Sequence, residues 1–270
     1  MKLWIFFFIF SPHLFAYTLN NNFGASFKSH NVSVKIVGDT TCAGAGINVY
    51  ELRDLIEPAI NQFWNRVPTS DLRLSDGGFT DPINNINTGK LCAPTDTSCI
   101  TAAGANVIGP VNDIIIACNT GDNFGGGNVL AVTIPNNFSG KDIVGSVILI
   151  NNTSSSFGSL SKADQIGVIA HEIGHAIGLG HTDEKAALMY YRTVDQRRAL
   201  GEDDMRGVSY LYPMKLDGFG LLGGCGTIQT NNPTPPKNPP FWPMGLSLGV
   251  MILIAELRKL FNRSKTRASP

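Results

Sequence analysis

Residues 171–181 read HEIGHAIGLGH, and they constrain this chain more than any other stretch. Three of its five histidines fall there. The run closes a longer pattern, SLSKADQIGVIAHEIGHAIGLGH, in which Ile166, Ile169, Ala170, Ile173 and Ile177 recur at helical spacing. At about 100° per residue, His171 and His175 fall on the opposite side of the cylinder from that stripe. The segment must therefore be a helix that buries one face and presents two imidazoles, a turn apart, on another. Ser161 followed by Asp164 marks its start. Gly178 can take a positive φ and end it, and Gly180 offers a second permissive position. The chain can then double back and bring His181 toward the other two.

Two histidines four apart on a helix can reach one metal ion, and His181 supplies a third ligand. A zinc with three protein ligands keeps its fourth position for water. It lowers that water's pKa from about 15.7 to about 7 and polarises a carbonyl. Glu172 is rotated off the histidine pair, so its carboxylate can accept the water's proton and pass it to a leaving amine. A bare HExxH is common; HExxHxxGxxH on a capped amphipathic helix is far more specific.

Elsewhere the chain alternates short apolar runs with loops. VSVKIV (32–37), DLRLS (71–75), DIIIAC (113–118) and IVGSVILIN (143–151) read as strands. GDNFGGGNVLAVTIP (121–135) reads as a Gly-rich loop running into another. Residues 51–66, ELRDLIEPAINQFWNR, have helical spacing, with Pro58 a point of kinking. Residues 76–110 look like loop. A second helix is expected from about Gly201 to Leu211, with Asp203 and Asp204 in its first turn. Formal net charge is zero and 16% of residues are charged, which argues against a nucleic-acid partner.

The two ends have their own character. Lys2, the apolar run from Leu3 to Phe10, and Ala16 form an export signal over residues 1–16. The expected catalytic domain occupies 27–216. A Gly/Pro/Asn-rich linker (217–240), an apolar segment (241–257) and a basic tail (258–270) follow. They suggest a membrane anchor or a sorting segment, hence an extracytoplasmic location. Export allows disulfides. Cys92 with Cys99 is the favoured pair, Cys42 with Cys118 the residual one, and Cys225 is left over.

HExxHxxGxxH followed by a methionine turn is the metzincin signature. ALMYY, with Met189, and LGEDDMRGVSYLYP follow here, and the chain most resembles the matrixins. GNVLAV (127–132) resembles their edge strand. The resemblance implies an α+β fold: a twisted five-stranded mixed sheet with three helices, and a zinc cleft between upper and lower subdomains. It implies a zinc endopeptidase, acting as a monomer on extended polypeptide. Its metal ligands would be His171, His175 and His181, with Glu172 catalytic. Met189 would be a structural floor, and Val129, Leu130 and Ala131 would pair with substrate. Calcium held by loop acids such as Asp122 fits the same family.

The departures are specific. No PRCGxPD switch occurs, and only His13 and His30 remain as histidines, so the family's structural zinc site is expected to be absent. Tyr191 replaces the family proline. By likeness to astacins and serralysins it would be a transition-state hydrogen-bond donor; plain packing is the competing reading. The alternative to an enzyme is a non-catalytic zinc-containing binding or adhesion protein on the same scaffold.

Overall fold

The computed structural model describes residues 17–19, 24–125, 129–192 and 199–214. The chain divides into two units, Met1–Leu216 and Asp217–Pro270. The second lies outside the described residues, as do the expected export signal and Cys225. In chain order the elements are β1 (Ser26–Phe27), β2 (Asn31–Val37), α1 (Val49–Arg53), α2 (Ile56–Gln62), β3 (Arg73–Thr80) and α3 (Thr97–Ala103). They continue with β4 (Asp113–Asn119), β5 (Ala131–Ser139), β6 (Asp142–Asn151), α4 (Lys162–Ala176) and α5 (Glu202–Leu211).

The central strands read as continuous apolar runs because both their faces are buried. Ile114, Ile116 and Cys118 of β4 join Ile148 and Ile150 of β6 in the core beneath the helices. Ile115, Ala117, Val147 and Leu149 point into a second core on the other face. The strands run in the order β1-β6-β4-β2-β3, all pairings parallel, while β5 pairs antiparallel with β6. Among the described strands β6 is β5's sole partner, which leaves β5 at an edge.

The α+β class with a mixed sheet holds, but the element count differs from the expected five strands and three helices. The extra strand is the two-residue β1. The helix expected over 51–66 breaks into α1 and α2, followed by a 3₁₀ turn at Trp64–Arg66. Pro58 explains the break: it has no N–H, and its ring would crowd the carbonyl of Asp54, where α1 ends. In its place Pro58 falls in the first turn of α2, where no donor is needed. α3 lies inside the stretch expected to be loop, started by the Asp96 side chain accepting from the Cys99 N–H at 2.9 Å. β3 runs on to Thr80, past the expected Ser75.

Tyr212 joins three parts of the core. Its hydroxyl donates to the Ile177 carbonyl at 2.7 Å and accepts from the Phe27 N–H at 3.0 Å. Burial pushes the phenol pKa well up, so it stays a neutral donor. Both expected disulfides are present, Cys42–Cys118 and Cys92–Cys99, with Cα–Cα separations of 5.3 and 5.7 Å.

Cys42–Cys118 closes a loop with a sequence separation of 76, against 7 for Cys92–Cys99. Loop-closure entropy therefore predicts a cost of about 2–5 kcal/mol for replacing the first pair by alanines, and less for the second. Urea midpoints of the two double variants check this; equal losses would contradict it.

Candidate active site

The site is built on α4. The Ser161 side chain accepts from the Asp164 N–H at 3.2 Å and starts the helix. Ile169, Ala170, Ile173 and Ile177 are buried, and Ile166 is partly so. Trp64 donates its indole N–H to the Ala170 carbonyl at 2.8 Å. The helix ends where Gly178 takes φ +110°, and a Cβ there would meet the Ala25 carbonyl at 2.4 Å. Gly180 serves differently from expectation. Its φ is outside the left-handed region, and a Cβ would crowd the Leu19 carbonyl at 2.9 Å. Its need for glycine is close backbone approach.

The turn after Gly178 brings His181 back over the helix. Its Nε2 lies 3.3 Å from Nε2 of His171 and 3.1 Å from Nε2 of His175. A ligand atom from each of the three histidines lies within 4.8 Å of the others, and among the described residues this is the group able to hold a metal. Nδ1 of His171 donates to the Leu188 carbonyl at 2.8 Å, and Nδ1 of His175 to the Leu179 carbonyl at 2.9 Å. A carbonyl can only accept, so Nδ1 carries the proton and Nε2 keeps its lone pair. Burial, then the neighbouring His171, pushes the His175 pKa down to about 4; Glu172 opposes this. Burial also lowers that of His181. Neutral imidazoles with convergent lone pairs are a donor set that fits zinc.

Glu172 is 7% exposed, and its Oε2 accepts from the Thr133 hydroxyl on β5 at 2.5 Å. It lines a cleft of about 660 Å³ together with His175, His181, Val129 and Ala131–Ile134. Val129 and Leu130 precede β5, and Ala131 begins it. The Val129 carbonyl accepts from the Asn151 side chain at 2.8 Å, and the Leu130 carbonyl from the Asn151 N–H at 2.9 Å.

Met189 is buried under α4: a Cβ on Gly174 would come within 2.3 Å of its Sδ and 2.8 Å of the Trp64 ring. Its turn is held by Asp204. That carboxylate accepts from Leu188 N–H at 2.6 Å, Met189 N–H at 3.0 Å and Gly201 N–H at 2.7 Å. Burial raises the Asp204 pKa against the pull of these three donors. Tyr191 is 47% exposed and packs at a tilt against Tyr190, ring centroids 4.7 Å apart, with Arg192 over its ring; it is not part of the cleft lining. Asp122 has a 97% exposed side chain, 3.6 Å from Lys90 Nζ. His30 binds Asp71 through Nδ1 and packs edge-on against Tyr212.

Sequence reading missed Thr133 and the triple role of Asp204. The second had a signal, since an acid at the third helical position commonly reaches back to the start of its helix. Thr133 had none.

Residues 118–213 match the family model for matrixin. The chain is 32% identical over 128 residues to karilysin of Tannerella forsythia, covering 41% of this chain and 26% of that protein. It is 39% identical over 84 residues to human stromelysin-3, covering 28% and 17%. It is 37% identical over 67 residues to metalloendoproteinase 2-MMP of Arabidopsis thaliana, covering 24% and 18%. Over these residues the chain is similar to the matrixins. It spans about a quarter or less of the length of these relatives.

Two expectations follow for this domain. Gly174→Ala gains helix propensity, but its methyl group collides with Met189 and Trp64. Overpacking wins, lowering stability by about 1–3 kcal/mol, measured by urea unfolding; a stabilised variant would contradict the packing. The second concerns pH. Unfolded His175 takes up a proton below its ordinary pKa of 6.5, which the folded residue refuses until about 4. The unfolded state thus binds more protons in that window, and stability of the metal-free domain falls as pH drops through it. Urea midpoints in chelator should decline from pH 6.5 toward 4, and less steeply in His175→Gln. Equal slopes would contradict a buried neutral His175.

Proposed function

We propose that this domain is a zinc endopeptidase that hydrolyses peptide bonds in extended polypeptides. One observation carries the reading: three imidazoles converge through Nε2 beside a buried carboxylate, in a cleft bordered by a sheet edge. His171, His175 and His181 would hold the metal, with the Leu188 and Leu179 carbonyls keeping two of them in the ligating tautomer. Bound zinc supplies Lewis acidity toward a carbonyl oxygen and toward water. Glu172 takes a proton from water on one side of the scissile bond and delivers it to the departing amine nitrogen on the other. Among the described strands, the side of β5 away from β6 offers main-chain groups from Ala131 onward to an extended substrate, which favours strand-like peptides over folded ones. Asp204 and Met189 act through the backbone they hold in place.

The two disulfides support an oxidising, extracytoplasmic location. In this reading residues 1–16 direct export, 27–216 form the catalytic domain, and 241–257 tether the protein or are removed during sorting. The ends rest on sequence alone. Among the described residues no helix is long and apolar enough to cross a membrane.

The zinc-loaded protein should cleave casein, and Glu172→Gln should lower that rate by about 10²–10⁴-fold while keeping its zinc. Zinc retained with no cleavage by the parent would favour the non-catalytic binding protein. Zinc retained after alanine replacement of all three histidines would remove the metal site.

A further inference from the structure

The Thr133–Glu172 contact is a specific feature of this cleft. Alternation along β5 sends Ala131 toward the core under α4, and Val132 and Ile134 toward the opposite one. Thr133 therefore faces α4. Its backbone lies inside the paired part of the sheet, opposite Ile148, and its β-branched side chain has few rotamers. The hydroxyl thus comes from a rigid mount. It lies 2.5 Å from Oε2, the one hydrogen bond of the Glu172 side chain among the described residues. A carboxylate only accepts, so Thr133 donates.

Resting on the endopeptidase reading, we propose that Thr133 is the positioning residue for Glu172: it ties down Oε2 and leaves Oε1 as the oxygen offered to water and to the leaving amine. Glu172 is buried on a helix whose backbone orientation is set by packing. A hydrogen bond from a neighbouring strand restricts its side-chain torsions. The substrate-bearing edge and the anchor of the proton-carrying group then share one element, β5, so a substrate docked on that strand is in register with the base.

The test uses the zinc-loaded protein and Thr133→Val, which keeps the shape and removes the hydroxyl. A hydrogen bond to a charged group sets the scale: kcat on a casein-derived peptide should fall by about 10- to 100-fold, with KM and zinc content close to the parent's. Thr133→Ser should recover most of the rate. In the Glu172→Gln background Thr133→Val should add no further loss. Without zinc or turnover, ¹³C-labelled glutamate carboxyls give an independent readout. The Glu172 signal, assigned by its absence in Glu172→Gln, should move in Thr133→Val and return in Thr133→Ser. Parent-level kcat, or an unmoved Glu172 signal, would overturn the proposal, and so would an equal further loss in the Glu172→Gln background. If instead the zinc-loaded parent is inactive, or Glu172→Gln stays active, the endopeptidase reading fails and takes this one with it.

Discussion

Two hydrogen bonds from imidazole Nδ1 to backbone carbonyls hold this site in working order. The Leu188 carbonyl fixes His171, and the Leu179 carbonyl fixes His175. Each sets a tautomer as well as a ring orientation, so each decides which nitrogen can bind a metal. Both acceptors belong to irregular chain: Leu179 to the turn after α4, Leu188 to the methionine turn. Irregular backbone keeps its shape only when something else specifies it. For the first, that is Gly178 at positive φ, packed on Ala25. For the second, it is the buried Asp204 carboxylate with its three N–H donors.

The rest of the architecture follows from placing α4. One face is buried against the sheet and Trp64. Because α4 packs on β5, the helix that carries the histidines also lies beside the sheet edge that could receive a peptide. Gly174 marks how tightly this is closed, since even a methyl group would strike both Met189 and Trp64. Metal site, base and edge are thus consequences of a single packing arrangement.

The sequence made α4 and the histidines legible because the signals coincide: a helical stripe, a cap, a glycine stop, and a ligand pattern anchored to that helix. β4 and β6 were legible as apolar runs between loops. The broken helix at Pro58 was foreseen only as a kink, because whether a proline bends or ends a helix depends on what the flanking turns pack against. α3 was missed, as its residues Thr97–Ala103 are small apart from Ile100 and none of them is buried, so no apolar stripe marks it. Thr133 was invisible for a different reason. A threonine in an edge strand is ordinary, and its importance arises only when the fold brings a helix residue from 39 positions away into reach.

Three imidazole nitrogens and an open position define this site in the proposed reading. Zinc K-edge X-ray absorption on the zinc-loaded domain tests it most directly. Three nitrogen ligands at about 2.0–2.1 Å with one additional light-atom ligand from solvent are expected. A sulfur ligand, fewer than three nitrogens, or a closed shell of four protein ligands would contradict it.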